Sequence, residues 1–271
     1  MQTSKNISLQ KFKNTQFHEV QDLVAIEEPL EIRLSHWQGE QLITQSVSIT
    51  MRTPSHDTEL ALGFLYTEGI LRSKNQVEKV KQVAENEIVI ETKKECSLNL
   101  AKLERHFYTS SSCGVCGKAS IDAVRTVHNA PNFSSSLSFS HEILPHLSEK
   151  VRTAQATFQS TGGLHASALF DLQGNLQGLY EDVGRHNALD KLIGVHFLQD
   201  LLPLSESLLF LSGRASFELI QKAAMAEIPI IVALGAPSSL AVQLAKEFNL
   251  TLIGFLKTDS FNVYCGGNRV V

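Results

Sequence analysis

From residue 166 to residue 255, short apolar runs alternate with segments of helix length, and that alternation leaves few architectures open. Ala168-Leu169-Phe170-Asp171, Gly174-Asn175 and Gly178-Leu179-Tyr180 read as a hairpin. After it come a helix over about 185–195, a strand over 208–211, a helix over about 215–226, a strand over 230–234, a helix over about 237–249 and a strand over 251–255. Strands and helices at this spacing imply right-handed βαβ crossovers, and so a largely parallel sheet with helices on both faces. Such sheets take ligands at the carboxyl ends of their strands, where Ser212-Gly213-Arg214, Gly235-Ala236-Pro237 and Lys257 fall.

The first hundred residues follow a different period. Leu30, Ile32 and Leu34 share one period-two face, Val47, Ile49 and Met51 another, and Ile88 to Ile90 a third. Between them Leu60, Phe64 and Leu65 form a helical stripe, for which Ser55 or Asp57 is the expected N-cap. The fold class is therefore α/β: a β-rich α+β module followed by a three-layer α/β/α domain. The expected divisions are a flexible tail over 1–17, the module over 18–107, a mobile loop, helix and linker over 108–140, and the α/β domain over 141–271. A helix over about 142–159 opens the last of these and leads into Thr161-Gly162-Gly163-Leu164-His165.

Composition removes several function classes. With 271 residues, 43% hydrophobic and 19% charged, the chain buries a full core without disulfides or a structural metal. Its 24 Lys+Arg against 28 Asp+Glu leave a net charge of −4, which offers no global footprint for nucleic acid. Small phosphorylated ligands need only a few local cations. The amino-terminal stretch has no apolar h-region, and no run approaches the ~18–20 apolar residues of a membrane span, so a soluble, cytoplasmic protein is expected.

Of four cysteines, Cys113 and Cys116 form a Cys-x-x-Cys pair before an expected helix starting at Lys118, behind a Thr-Ser-Ser-Ser run. Helix N–H groups and the helix dipole favour thiolate there, and the flanking Gly114 and Gly117 remove bulk. Three chemistries are open. Zinc requires further ligands, and none of Cys96, Cys265 and His165 stands at partner spacing. A dithiol oxidoreductase would favour a strand before the pair. A persulfide relay suits a mobile loop in which one thiolate accepts sulfane sulfur and its neighbour releases it by closing a disulfide. Spacing alone does not choose between the last two.

Ser112-Cys113-Gly114-Val115-Cys116-Gly117, Thr161-Gly162-Gly163-Leu164-His165-Ala166 and Glu181-Asp182-Val183-Gly184-Arg185-His186-Asn187-Ala188-Leu189-Asp190-Lys191 stand in this order. Together they resemble the FdhD family. Ser212-Gly213-Arg214, Ala236-Pro237-Ser238-Ser239 and Phe261-Asn262-Val263-Tyr264 fit the same pattern. The resemblance implies a sulfur carrier, or sulfurtransferase, required for formate dehydrogenase activity. It would move persulfide sulfur from a cysteine desulfurase to the molybdenum or tungsten bis-(molybdopterin guanine dinucleotide) cofactor, with formate dehydrogenase as the final partner and a homodimer as the expected assembly.

The resemblance also implies a second domain similar to the cytidine deaminase fold. Zinc deaminases need His/Cys-x-Glu on one helix and Pro-Cys-x-x-Cys on the next. Here His165-Ala166-Ser167 lacks the glutamate, and neither Gly184-Arg185-His186-Asn187 nor Ser212-Gly213-Arg214-Ala215-Ser216 carries a cysteine, so no metal site is expected. Arg185 and Arg214 at two helix starts suit pyrophosphate, with His186 as a donor and Lys118 or Lys222 as lesser candidates. The alternative for Arg185 is an ion pair with Asp182 or Asp190. By resemblance, Phe261, Asn262, Val263, Tyr264, Cys265 and Gly266 lie around the cofactor, where an aromatic ring would stack on guanine; the plainer possibility is an aromatic plug. The family pattern points to Cys113 as persulfide carrier, whereas the helix dipole favours Cys116. A cofactor-binding chaperone without covalent relay is the alternative function.

Overall fold

The computed structural model describes residues 2–96, 98 and 137–271. Among them twelve strands form three sheets. The first is a two-stranded ribbon, β1 (Ser4–Lys13) against β2 (Gln16–Ala25), antiparallel throughout. Residues 4–13 are thus paired strand rather than an unstructured tail. Most of the ribbon is exposed, and the rings of Phe12 and Phe17, opposite each other at its tip, stand 5.2 Å apart.

The second sheet has the order β4-β3-β6-β5, from β3 (Glu28–Gln38), β4 (Gln41–Arg52), β5 (Val77–Ala84) and β6 (Glu87–Thr92). Leu30, Ile32, Leu34, Ile88 and Ile90 are fully buried under helix α1 (Asp57–Thr67). Burying each such side chain is worth about 1.5–3 kcal/mol. The expected face of Val47, Ile49 and Met51 is not continuous. A register shift between Ile32 and Arg33 leaves Val47 as an extra residue on β4, so Val47 is buried while Ile49 and Met51 are exposed. The expected N-cap also moves. His56, in the left-handed region, precedes the helix without a side-chain cap, and Asp57 instead accepts from Nε and Nη2 of the buried Arg52 guanidinium at 3.0 and 2.9 Å.

The third sheet has the order β12-β11-β10-β9-β7-β8: β7 (His165–Asp171), β8 (Leu176–Asp182), β9 (Ser207–Leu211), β10 (Ile230–Ala233), β11 (Thr251–Gly254) and β12 (Asn262–Cys265). Only β9, β10 and β11 run parallel to one another, while β7, β8 and β12 pair antiparallel, so the sheet is mixed rather than largely parallel. The reason lies in the connections. The β7–β8 turn and the short return from β11 to β12 are too brief for a crossover, which needs a dozen residues or more, and they enforce antiparallel pairing.

Helix α2 (Leu144–Ala154) packs its Leu144, Leu147 and Val151 against one face of this sheet, with Phe170, Phe210 and Val232. Helices α4 (Arg185–Leu198), α5 (Phe217–Met225) and α6 (Ser239–Glu247) cover the other face. The single helix expected over 142–159 breaks at Gln155, and α3 (Ala156–Thr161) starts anew because the Glu181 carboxylate accepts the N–H groups of Thr157 and Phe158 at 3.1 and 2.8 Å.

The two modules meet where α1 crosses α4. A Cβ on Gly63 would stand 2.7 Å from the carbonyl carbon of Asp190, and one on Gly194 would stand 2.6 Å from that of Glu59. Only glycines permit this approach of two helix backbones. Beside the crossing, buried Lys191 pairs with Asp182 at 2.7 Å and donates to the Thr53 carbonyl at 2.9 Å, while the Thr53 N–H donates to Asp182. No helix among the described residues is long and apolar enough to cross a membrane.

Candidate functional site

Because β7 runs against β9, its first residue, His165, reaches the same edge of the sheet as the last residues of β9. The Ser212 hydroxyl accepts the Ala166 N–H at 2.7 Å and the Ser212 N–H donates to the Ala166 carbonyl, which ties the two strand ends together. The final residue of β8, Asp182, lies opposite His165, and α4 begins three residues later. This edge therefore gathers His165, Arg185, His186 and the Ser212-Gly213-Arg214 loop. Arg214 is exposed.

The long motif over 181–191 divides into two roles. Asp182 accepts from the Gly184 N–H at 2.8 Å and from the Asn187 amide at 3.1 Å, besides its pairing with Lys191. Asn187 also donates to the Met51 carbonyl at 2.7 Å. Asp190 takes Lys222 at 2.9 Å and the Thr67 hydroxyl at 2.8 Å. These four side chains, Asp182, Asn187, Asp190 and Lys191, join the modules. Lys222 belongs with them: buried, paired with Asp190, 3.6 Å from Glu68 and over the Phe64 ring, it is not placed to reach a ligand.

Arg185 and His186 are left for the edge. Every carboxylate expected to pair with Arg185 is committed elsewhere, and its Nε is buried without a hydrogen-bond partner. A buried cationic donor in that state calls for an anion. The His186 ring lies 3.4 Å from the Ser216 hydroxyl and 3.9 Å from Glu218. Burial, with the charges of Lys222 and Arg185, pushes its imidazole down to about 3. His165 is lowered too, by burial first and then by Arg185, against a smaller opposite pull from Asp182. In the sequence His165 stands out only as a possible metal ligand; its place two motifs before Arg214, at the start of a strand, is the signal for this edge.

The segment 261–266 runs away from that edge. Asn262 lies opposite Gly254 at the carboxyl end of β11, but Cys265 lies opposite Leu252 and the Gly266 carbonyl accepts from Thr251 at the other end. Asn262 and Val263 are exposed. Phe261 packs under one face of the sheet, and Tyr264 and Cys265 against the other. Gly266 has φ +67°, and a Cβ there would stand 2.5 Å from the Thr251 hydroxyl, so this glycine is required by the turn. Burial raises the Cys265 thiol. Cys113, Cys116 and Lys118 lie outside the described residues.

Fold and site together define an α/β protein of two joined modules, with a cluster of arginine and histidine side chains at the strand ends of its mixed sheet. The sequence model of the FdhD/NarQ family matches residues 25–271, and the chain belongs to that family. It is 48% identical over 259 residues to the sulfur carrier protein FdhD of Streptomyces coelicolor, covering 92% of this chain and 89% of that one. It is 41% identical over 266 residues to the protein of the same name from Saccharolobus solfataricus, covering 98% of each. A crystal structure from Desulfotalea psychrophila, of a protein provisionally named as a formate dehydrogenase accessory protein, superimposes over the whole of both chains with TM-score 0.78 at 22% identity, which establishes the likeness of fold.

Proposed function

We propose that this protein is a sulfur carrier that serves the maturation of formate dehydrogenase in the cytoplasm, working as a homodimer. The observation that carries this reading is the 48% identity, over 92% of the chain, to a relative named as a sulfur carrier. The ordered Cys-x-x-Cys, Gly-Gly-Leu-His and Gly-Arg-His-Asn motifs support it. In the proposed cycle the Cys113 thiolate attacks the terminal sulfur of a cysteine desulfurase persulfide, and the desulfurase cysteine leaves as a thiolate. Cys113 then holds a persulfide. The Cys116 thiolate attacks the inner sulfur of that persulfide and closes a Cys113–Cys116 disulfide, so the outer sulfur departs at the sulfide level as a ligand for the acceptor metal; a cellular dithiol then reopens the disulfide.

The acceptor is the molybdenum or tungsten bis-(molybdopterin guanine dinucleotide) cofactor, bound as substrate. Its pyrophosphate would meet Arg185, whose buried Nε has no acceptor of its own, with exposed Arg214 on the neighbouring loop. Asn262 and Phe261 start the return strand at the same edge, and Cys265 and Gly266 follow along it. His186 would offer a neutral imidazole rather than a positive charge.

The decisive experiment is mass spectrometry of the peptide bearing Cys113 and Cys116 after incubation with a cysteine desulfurase and free cysteine. A one-sulfur adduct lost on reduction is expected, together with loss of formate dehydrogenase activation in Cys113→Ala. Full activation by Cys113→Ala would replace the relay with a non-covalent chaperone role.

A further inference from the structure

The edge that holds Arg185 contains a second group able to answer an anion. His165 is half-buried at the start of β7, its Nδ1 only 3.3 Å from where a Cβ on Gly213 would stand, so the ring lies against the loop that carries Arg214. No hydrogen bond or ion pair involving the His165 ring is found among the described residues. Burial is the largest influence against its protonation. Arg185, at the start of α4, opposes it next; Asp182, at the end of β8, favours it, but that carboxylate is already held by Lys191, Gly184, Asn187 and Thr53, and His165 in turn opposes the protonation of His186. His186 stands further in, facing Ser216 and Glu218 on α5, with Lys222 and Glu68 behind it.

We propose that His165 is a second anchor for a phosphoryl group held by Arg185, and that it takes up one proton from solvent as that group binds. The inference rests on the phosphate reading of the Arg185 edge. Without a ligand, burial and then the charge of Arg185 keep His165 toward its neutral form. A phosphate that neutralises Arg185 removes the repulsion and adds an attraction, and an opposite charge within ~4–6 Å of a titrating group moves its midpoint by about 1–3 pH units. The proton gained turns an imidazole with one donor into an imidazolium with two, which suits an anion of several oxygens. His186, starting from about 3 and shielded by burial, stays neutral throughout the same range. The two histidines therefore behave differently: one senses the ligand and the other does not.

The test is a nuclear magnetic resonance titration of the full chain labelled at its histidine rings, with His165 assigned from the spectrum of His165→Gln, in the absence and presence of saturating inorganic pyrophosphate. The His165 midpoint should rise by about one pH unit or more with pyrophosphate, and Arg185→Gln should abolish both the rise and the binding. By linkage, a rise of one unit gives about a tenfold change in pyrophosphate affinity across the His165 titration, and His165→Gln should lose that component. Binding that depends on Arg185 while His165 titrates unchanged would overturn this inference and leave the phosphate site standing. No pyrophosphate binding by the wild-type chain would overturn the phosphate site as well.

Discussion

Gly63→Ala is the most stringent probe of how the modules are joined. In an unconstrained helix this change is favourable by about 1 kcal/mol, because alanine is the better helix former. Here the new Cβ would meet the Asp190 carbonyl, its oxygen first and its carbon at 2.7 Å, and the Gly194 nitrogen at 2.9 Å, so the carbon alone demands 0.7 Å of separation to reach the 3.4 Å of an ordinary contact and the oxygen demands more. Both obstacles are helix backbone, and neither can swing aside as a side-chain tip would. Opening the crossing also stretches the 2.8 Å bond from Thr67 to Asp190 and loosens the packing along both helices. A gap of 0.5–1 Å forfeits about a quarter to a half of each dispersion contact, and overpacking typically costs about 1–3 kcal/mol. Backbone against backbone puts the strain near the upper end of that range, about 3 kcal/mol, and after the propensity gain of about 1 kcal/mol a net loss of about 2 kcal/mol is expected. With a denaturant slope of about 3 kcal/mol/M, the urea midpoint should fall by about 0.7 M. An unchanged or higher midpoint at the same slope would refute the close-crossing account.

Two further outcomes concern buried charge. Since the folded-state midpoint of His186 is pushed down to about 3 from its ordinary 6.5, the stability it contributes is present above pH 6.5 and is lost as pH falls toward 3. His186→Gln should remove up to about 1.4 kcal/mol per pH unit of that decline, read from urea midpoints at successive pH values; identical pH profiles would contradict it. Lys191→Met leaves Asp182 buried without its cation and should cost about 3–5 kcal/mol near neutral pH. Burial already raises the Asp182 carboxyl, so the deficit should shrink on acidification as that group takes a proton, and a deficit independent of pH would count against the pairing as its cause.

Much of the α/β half was legible because its pattern is local. The helices at Arg185, Phe217 and Ser239 and the strands between them follow from apolar spacing, and they appear within a few residues of their expected limits. Strand direction was less legible, since it depends on which neighbour a strand meets: β7 pairs with β9 and turns the expected parallel sheet into a mixed one. The bulge at Val47 is similar, because a one-residue shift is decided by the partner strand. The site was read at two different depths. Arg185, His186 and Arg214 do come to one edge, but the adjacent Asp182, Asp190 and Lys191 have the same chemistry in sequence and a joining role in space. The resemblance groups Cys265 and Gly266 with Phe261, and apolar spacing says nothing of the four-residue strand on which Asn262 and Cys265 stand at its two ends.

At Gly63 and Gly194 the two helices meet backbone to backbone, so the seam has no side-chain layer that could repack around a change. The modules are consequently poor cassettes for recombination. A chimera assembled from two relatives must inherit both glycines, together with the aspartate, lysine and threonine that interlock beside them, from a single parent or from parents already matched at that seam.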